Sequence, residues 1–355
     1  MKKLFLFLLS LPLLLCSCGN GEFFPPSRDV EDMGLVRVLG IDFAESGVTI
    51  TGLTSGGTEG KGEVFSGEGQ SVSEAVDRLV RLPAGKSAVF SHTESIIIGE
   101  RAAGELFPEI LDHIARSNEL RLGVNIFIAK NGTAASLIEE GGDGLGELLD
   151  LVAESSPYLG SYAFSAGDCA SALKRNGCCL VECLASGKEP EPDGFALICG
   201  GSLAQYLDKG ESEGAAIIMN RLRGGEKALD GITLSLNGIK TAFSPLYKSG
   251  KLAGASLDIR LTAREAGASS GRGGRDAVQS ALEKLENQEL ENVLSALAVC
   301  RSLGEDVFDI RSSLMEAAPP ASSAASRLHA GTMLLEVRLS AELTGSYDLR
   351  EGSGI

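Results

Sequence analysis

The sequence predicts an α+β protein of three mixed α/β domains, with mostly antiparallel or mixed sheets covered by helices, behind an N-terminal lipoprotein signal peptide. Three observations carry this. Residues 1–18 run from charged to apolar to small side chains, as an export leader does. Through residues 34–140, β-branched runs interleave with amphipathic ones, the order expected of one sheet covered by helices. Near the end, a helix-forming stretch from Asp276 to Leu303 precedes the cleanest alternating run in the chain, residues 333–343.

The leader comes first. Lys2 and Lys3 supply its positive start, and Leu4 to Leu15, broken by Ser10 and Pro12, form an apolar run too short to span a bilayer. Leu15-Cys16-Ser17-Cys18 then fits a lipobox, which makes residues 1–17 the signal peptide and Cys18 the lipidated first residue of the mature chain. Cys16 is the poorer acceptor, because Leu15 would occupy the small-residue position before it. Each buried methylene of a lipid contributes about 0.8 kcal/mol, so two acyl chains hold a protein on a membrane without a spanning helix. The alternative is a plain cleaved signal that releases a secreted protein. Residues 18–33, with Gly19-Asn20-Gly21 and Pro25-Pro26, read as a lipidated tether.

The N-terminal α/β domain is expected over 34–140. Leu35 to Asp42 and Val48 to Leu53 are strands across the Glu45-Ser46-Gly47 turn. Ser71 caps a helix with Glu74 in a capping box, and Val72, Ala75, Val76, Leu79 and Val80 share one face before Pro83-Ala84-Gly85 ends it. Strands follow at Ala88 to Phe90, Ser95 to Gly99 and Leu122 to Lys130. Helices are expected from Arg101 to Leu106, restarting at Pro108, and from Thr133 to Glu139.

A small middle domain is expected over 141–228. It is Gly-rich, with helices near Leu145 to Glu154 and within Ala163 to Lys174, and strands at Phe195 to Ile198 and Ala215 to Met219. The C-terminal domain, 229–355, should hold a long helix on an antiparallel sheet. Its strands are Ile232 to Leu236, Leu257 to Leu261 and Met333 to Leu343. Its helix from Asp276 stops at Gly304, and Ser269 to Arg275 and Pro319 to Ser326 are loops.

Composition excludes several function classes. The first 17 residues hold two of the 32 Lys and Arg and none of the 48 Asp and Glu, so the remainder carries 30 against 48, a net charge of −18. That balance opposes binding to nucleic acid or a broad footprint on anionic lipid. Trp is absent and aromatics are 5%, which weakens base or sugar stacking.

A search for catalytic chemistry finds little. His92, His113 and His329 have no zinc-hydrolase spacing, so no metal or cofactor is expected. Gly56-Gly57-Thr58-Glu59-Gly60-Lys61 is one residue short of a phosphate loop and ends on Gly62 where Ser or Thr is needed. Gly141 to Gly144 lacks the acidic positions of a calcium loop, and Asn131-Gly132-Thr133 is a turn. Arg116, Glu119 and Arg121 could form a network that fixes a helix-to-strand turn, or a recognition edge. Cys169, Cys178, Cys179, Cys183, Cys199 and Cys300 fit buried thiols or a single disulfide better than zinc.

Several stretches in order resemble one family. They are the lipobox at Cys18, Leu39-Gly40-Ile41-Asp42, the run from Ser91 to Glu100 with its Ile96-Ile97-Ile98-Gly99-Glu100 end, and the run from Ile110 to Arg121. Gly200 to Leu207, Glu211 to Ala215 and the closing Leu343-Thr344-Gly345 follow in the same order. Together they resemble the C-subunit lipoproteins of bacterial spore germinant receptors. Gly19 stands where that family commonly has Trp, Ser117-Asn118 replaces Asp-Pro, and six further cysteines are unusual for it. The resemblance implies three mixed α/β domains, no catalytic activity and no cofactor. It also implies a lipid anchor on the outer face of the spore inner membrane, and assembly with integral-membrane A and B subunits into a nutrient receptor. Only Cys18, the lipidation site, carries over as a site residue. The alternative is a free-standing lipoprotein that captures a solute for a transporter.

Overall fold

The computed structural model describes residues 33–55, 62–80, 87–155, 164–185, 190–222, 224–268 and 274–344. Two sheets organise them. The first begins with β1 (Met33–Ala44), which turns at Glu45-Ser46 into the antiparallel β2 (Gly47–Thr54); β3 (Val64–Gly69) pairs with β2 on its other side. The capping of α1 (Val72–Leu79) is as expected at Ser71, whose hydroxyl accepts from Glu74 N; the reciprocal Glu74 carboxylate takes Gln70 N, one residue earlier than a capping box.

β4 (Ser87–Val89) lies beside the start of β1, and β5 (Ser95–Gly99) runs parallel to β1. Two helices follow, α2 (Glu100–Glu105) and α3 (Phe107–Arg116), the second with proline in its first turn. Next come β6 (Asn125–Lys130), α4 (Ala134–Gly141), α5 (Leu145–Ser155), α6 (Ala166–Asn176) and β7 (Cys178–Ala185). β5, β6 and β7 are mutually parallel and flush with β1. Their side chains are buried on both faces, as a parallel centre requires. Alternate residues divide between two cores: Ile97, Phe127 and Val38 meet α4 and α5, while Ile96, Ile98 and Ile126 face the other way with Phe107 and Ile110. β8 (Glu191–Cys199) pairs antiparallel with β7, and β9 (Ser202–Leu207) antiparallel with β8, which completes the sheet. The order is β3-β2-β1-β5-β6-β7-β8-β9, so strands from both sides of residue 140 share one sheet.

The run Ala215 to Met219, expected as a strand, is helical. It lies in α7 (Lys209–Ile218), where Asp208 and Glu211 form a reciprocal capping box at 2.8 and 3.0 Å. A short apolar run buried on all sides has the same pattern in a helix as in a strand, and the cap seven residues upstream at Asp208 decides. Gly214 matters here, because a Cβ would overlap Asn292 O on the helix packed against it.

The second sheet is β10 (Gly225–Leu229), β11 (Ile232–Lys248), β12 (Lys251–Ala268) and β13 (Leu334–Leu343). The first three are antiparallel and β13 is parallel to β12, so this sheet is mixed where an antiparallel one was expected. The crossover that allows the parallel pair is α8 (Arg275–Leu303), capped by Gly304 at φ 71°, together with α9 (Ile310–Ala317). Pro319 to Ser326, expected as a loop, is a 3₁₀ turn and the short α10 (Ser322–Ala325). Leu122 to Val124 precede β6 rather than belonging to it. Cys18, residues 56–61, Pro83 to Gly85, Ser269 to Gly273 and the final eleven residues lie outside the described residues.

Candidate functional site

Open α/β sheets hold ligands beyond the carboxyl ends of their parallel strands, where helix N-termini offer free amides to anions. In this chain that place is filled from within. Asp42, near the end of β1 and 8% exposed, accepts from Ala134 N at 2.8 Å and Ala135 N at 2.9 Å, the first amides of α4. Thr133 caps the same helix through Ser136 N. Two glycines permit the approach. A Cβ on Gly40 would lie 2.7 Å from Ile138 Cδ1, and one on Gly99 would collide with the Asp42 carboxylate. Burial pushes the Asp42 carboxyl above the ordinary range, and the two amides only partly offset this. Leu39-Gly40-Ile41-Asp42, Ile98-Gly99 and Asn131-Gly132-Thr133 therefore meet at one structural joint.

A cleft of about 520 Å³ opens at the opposite, amino end of β5 and β6, between Thr93, Glu94, Arg121, Asn125, Asp150 and Glu154. Arg37 from β1 bridges its wall, donating from Nε to Glu94 at 2.7 Å and from Nη2 to Asp150 at 2.6 Å. Burial, then the neighbouring Glu94, raises the Asp150 carboxyl, while Arg37 pulls it down. Backbone bonds hold the rim, from Glu94 N to Arg37 O and from Asn125 N to Glu94 O, both at 3.0 Å. The cleft can hold charge by its ionic lining, but it lacks a nucleophile beside a base among its described residues.

The expected trio does not form. Arg116 pairs with Asp112 at 2.9 Å on its own helix, Glu119 accepts from Phe90 N at 3.1 Å, and Arg121 lines the cleft. The turn is fixed instead by Ser117, whose hydroxyl accepts from Glu119 N and Leu120 N. The histidines sit on three separate elements. His113 Nδ1 meets Ser73 Oγ at 3.1 Å on a half-open helix face, His329 accepts from Gly331 N, and His92 lies in a turn.

A second polar cluster joins the two sheets. Lys227 of β10 pairs with Glu213 of α7 at 2.6 Å and Glu289 of α8 at 3.0 Å; these side chains are 19%, 13% and 0% exposed. Asn292 donates to Glu289 at 3.0 Å. Burial raises the Glu213 carboxyl and the adjacent Glu289 adds to this. Burial lowers the Lys227 pKa, but the two carboxylates outweigh it and leave it raised. Sequence reasoning missed this triad and Arg37 alike, because partners 14 to 113 residues apart on different elements leave no local pattern. Of the cysteines, Cys178 and Cys199 form a disulfide between directly paired positions of β7 and β8. Cys169, Cys179, Cys183 and Cys300 are buried thiols.

Among the described residues no helix is long and apolar enough to cross a membrane. Residues 26–143 match the family described as the spore germination protein N-terminal domain. That match covers about a third of the chain, the part that builds the first strands and helices of the large sheet. Curated proteins give no match. The solved structure titled "Crystal Structure of the GerBC protein" is similar in fold, with a TM-score of 0.57 at 15% identity over 86% of this chain and 97% of that chain. The matched segment contains Asp42 and Gly99 of the joint and Glu94 on the rim of the cleft.

Proposed function

We propose that the chain is the membrane-anchored, non-enzymatic C subunit of a nutrient germinant receptor that triggers spore germination. The match of residues 26–143 to the spore germination N-terminal domain carries this reading. The sequence supports the anchor: Cys18 closes a lipobox, and lipid on it would hold the body on the outer face of the spore inner membrane. Integral-membrane A and B subunits are its partners.

The geometry agrees with a body built for contact rather than conversion. The helix N-terminus at the carboxyl edge, where an anionic ligand would sit, is held by Asp42. The signal peptide, tether and three-domain division read from the sequence belong to the same proposal, with 34–140 and 141–228 joined through one sheet. Co-purification tests the assembly: detergent-solubilised spore membranes should yield the chain together with two multi-span subunits. Recovery with an ATPase and permease instead would favour solute capture for a transporter.

A further inference from the structure

The second sheet ends on an open edge. β13 pairs with β12 along its whole length in an unbroken parallel register, from Gly254 opposite Leu334 to Ala263 opposite Leu343. In such a ladder the backbone groups of alternate residues point to opposite sides. Thr344 N donates inward to Ala263 O at 2.8 Å. Even-numbered residues therefore serve β12, and the N–H and C=O of Leu335, Val337, Leu339, Ala341 and Leu343 point outward. Glu286 of α8 caps one of these groups, Ala341 N, at 3.4 Å. Among the described residues no strand covers the others. A groove of about 330 Å³ opens beside this edge, between Leu294, Leu297 and Ala298 of α8 and Leu335 and Val337 of β13. Leu294 is 50% and Leu334 40% exposed. A long free edge is a template for another strand.

We propose that this edge docks a second copy of the chain, β13 against β13, antiparallel about a two-fold axis at Val337. The charge pattern selects both the occupant and the register. On its exposed face β13 presents Leu334, Glu336, Arg338, Ser340 and Glu342. With the axis at Val337, Glu336 of each copy lies opposite Arg338 of the other, a pairing that stabilises neighbouring strands. An axis at Glu336 or Arg338 sets like charges face to face, and one at Leu339 sets Glu336 against Glu342. An axis at Ser340 matches Arg338 with Glu342 but needs the Ala341 amide that Glu286 holds. Arg338 can turn to a second copy. Its contacts within the chain, to Asp258 at 3.9 Å and Glu336 at 3.8 Å, are long and leave it 71% exposed. The axis at Val337 also brings outward backbone to outward backbone. Val337 meets Val337 and Leu335 meets Leu339 on either side, each pair exchanging two hydrogen bonds. Leu335 and Val337 lie on the face that carries α8, so Val337 and Leu339 of the second copy border the open groove.

The test cross-links the full chain in cells. Glu336→Cys and Arg338→Cys variants are co-expressed with different tags; both positions are exposed, and opposed strand positions lie within disulfide reach. The mixed pair exchanges one ion pair for two thiols and keeps the other. Mild oxidation should convert monomer to a dimer that carries both tags, with little dimer from either variant alone. Light scattering on the purified full chain in detergent gives a second reading, a protein mass of two chains for the parent. Glu336→Arg sets arginine opposite arginine at both ends of the axis and should weaken association about tenfold or more. Adding Arg338→Glu to that variant should restore it. Absence of the mixed cross-link overturns the proposal, as does a mass of one chain at every concentration. Equal cross-linking of each variant alone, or a doubly swapped chain that associates no better than the single one, refutes the register. A cross-link to a chain of different mass in place of the dimer overturns the second copy and assigns the edge to another protein.

Discussion

Replacing Lys227 with Met removes the one cation that stands between Glu213 and Glu289 while keeping most of the side chain's packing volume. Two carboxylates, 13% and 0% exposed, then face each other without compensation. Breaking a buried pair in this way costs about 3–5 kcal/mol. The fold has one escape, which is to protonate a carboxyl. Placing a proton on a carboxylate with an ordinary pKa of about 4.3 costs roughly 1.36 kcal/mol per pH unit, hence about 3.7 kcal/mol at neutral pH and about 1 kcal/mol at pH 5. The expected loss is therefore about 3–4 kcal/mol near neutrality, shrinking to about 1 kcal/mol at pH 5. The sign follows from linkage. Glu213 is raised by burial and by Glu289, so the folded state binds more protons than the unfolded one just above the ordinary carboxylate range. Stability from this site falls as pH rises through that window, and more steeply once Lys227 is gone. Urea unfolding of parent and variant at both pH values measures it. A deficit below about 1 kcal/mol at neutral pH, or the same deficit at both, would refute the buried-triad argument.

Three further outcomes are expected. Gly99→Ala should destabilise by about 1–3 kcal/mol in thermal unfolding, because its Cβ collides with the Asp42 carboxylate that caps α4; a neutral effect would show that the joint is slack. Replacing both Cys178 and Cys199 with Ser should cost at most roughly 3 kcal/mol in denaturant, the loop entropy for a separation of 21 residues, since the β7–β8 pairing already constrains the strands. Cys18→Ala should move the protein from the membrane to the soluble fraction in cells lacking the other subunits, and unchanged retention would defeat the lipid anchor.

Local signals were legible where a few neighbouring residues determine the outcome. Ser71 and Gly304 each cap the helix expected of them, the helix expected from Thr133 forms one residue later with Thr133 as its cap, and the alternation of residues 333–343 is β13. β3 was hidden because Gly67 and Gly69 are there to admit the backbone of α1, where side chains would clash with Ala75, and their presence dilutes the strand pattern. The parallel pairing of β12 with β13 depends on the crossover between them, which alternation does not encode. The same limit governs the sites. Leu39-Gly40-Ile41-Asp42 stood out as a motif, but the capping role of Asp42 appears only when α4 arrives 92 residues later in the chain. Cys178 and Cys199 were two of six candidates until the β7–β8 register placed them opposite each other.

The central claim is that this chain serves a germinant receptor, and spores lacking it test that most directly. Sporulation should be normal, while release from dormancy in response to at least one nutrient, followed by loss of optical density, should fail and return when the gene is restored. Deletion spores that germinate at the parental rate with every nutrient tried would contradict the account.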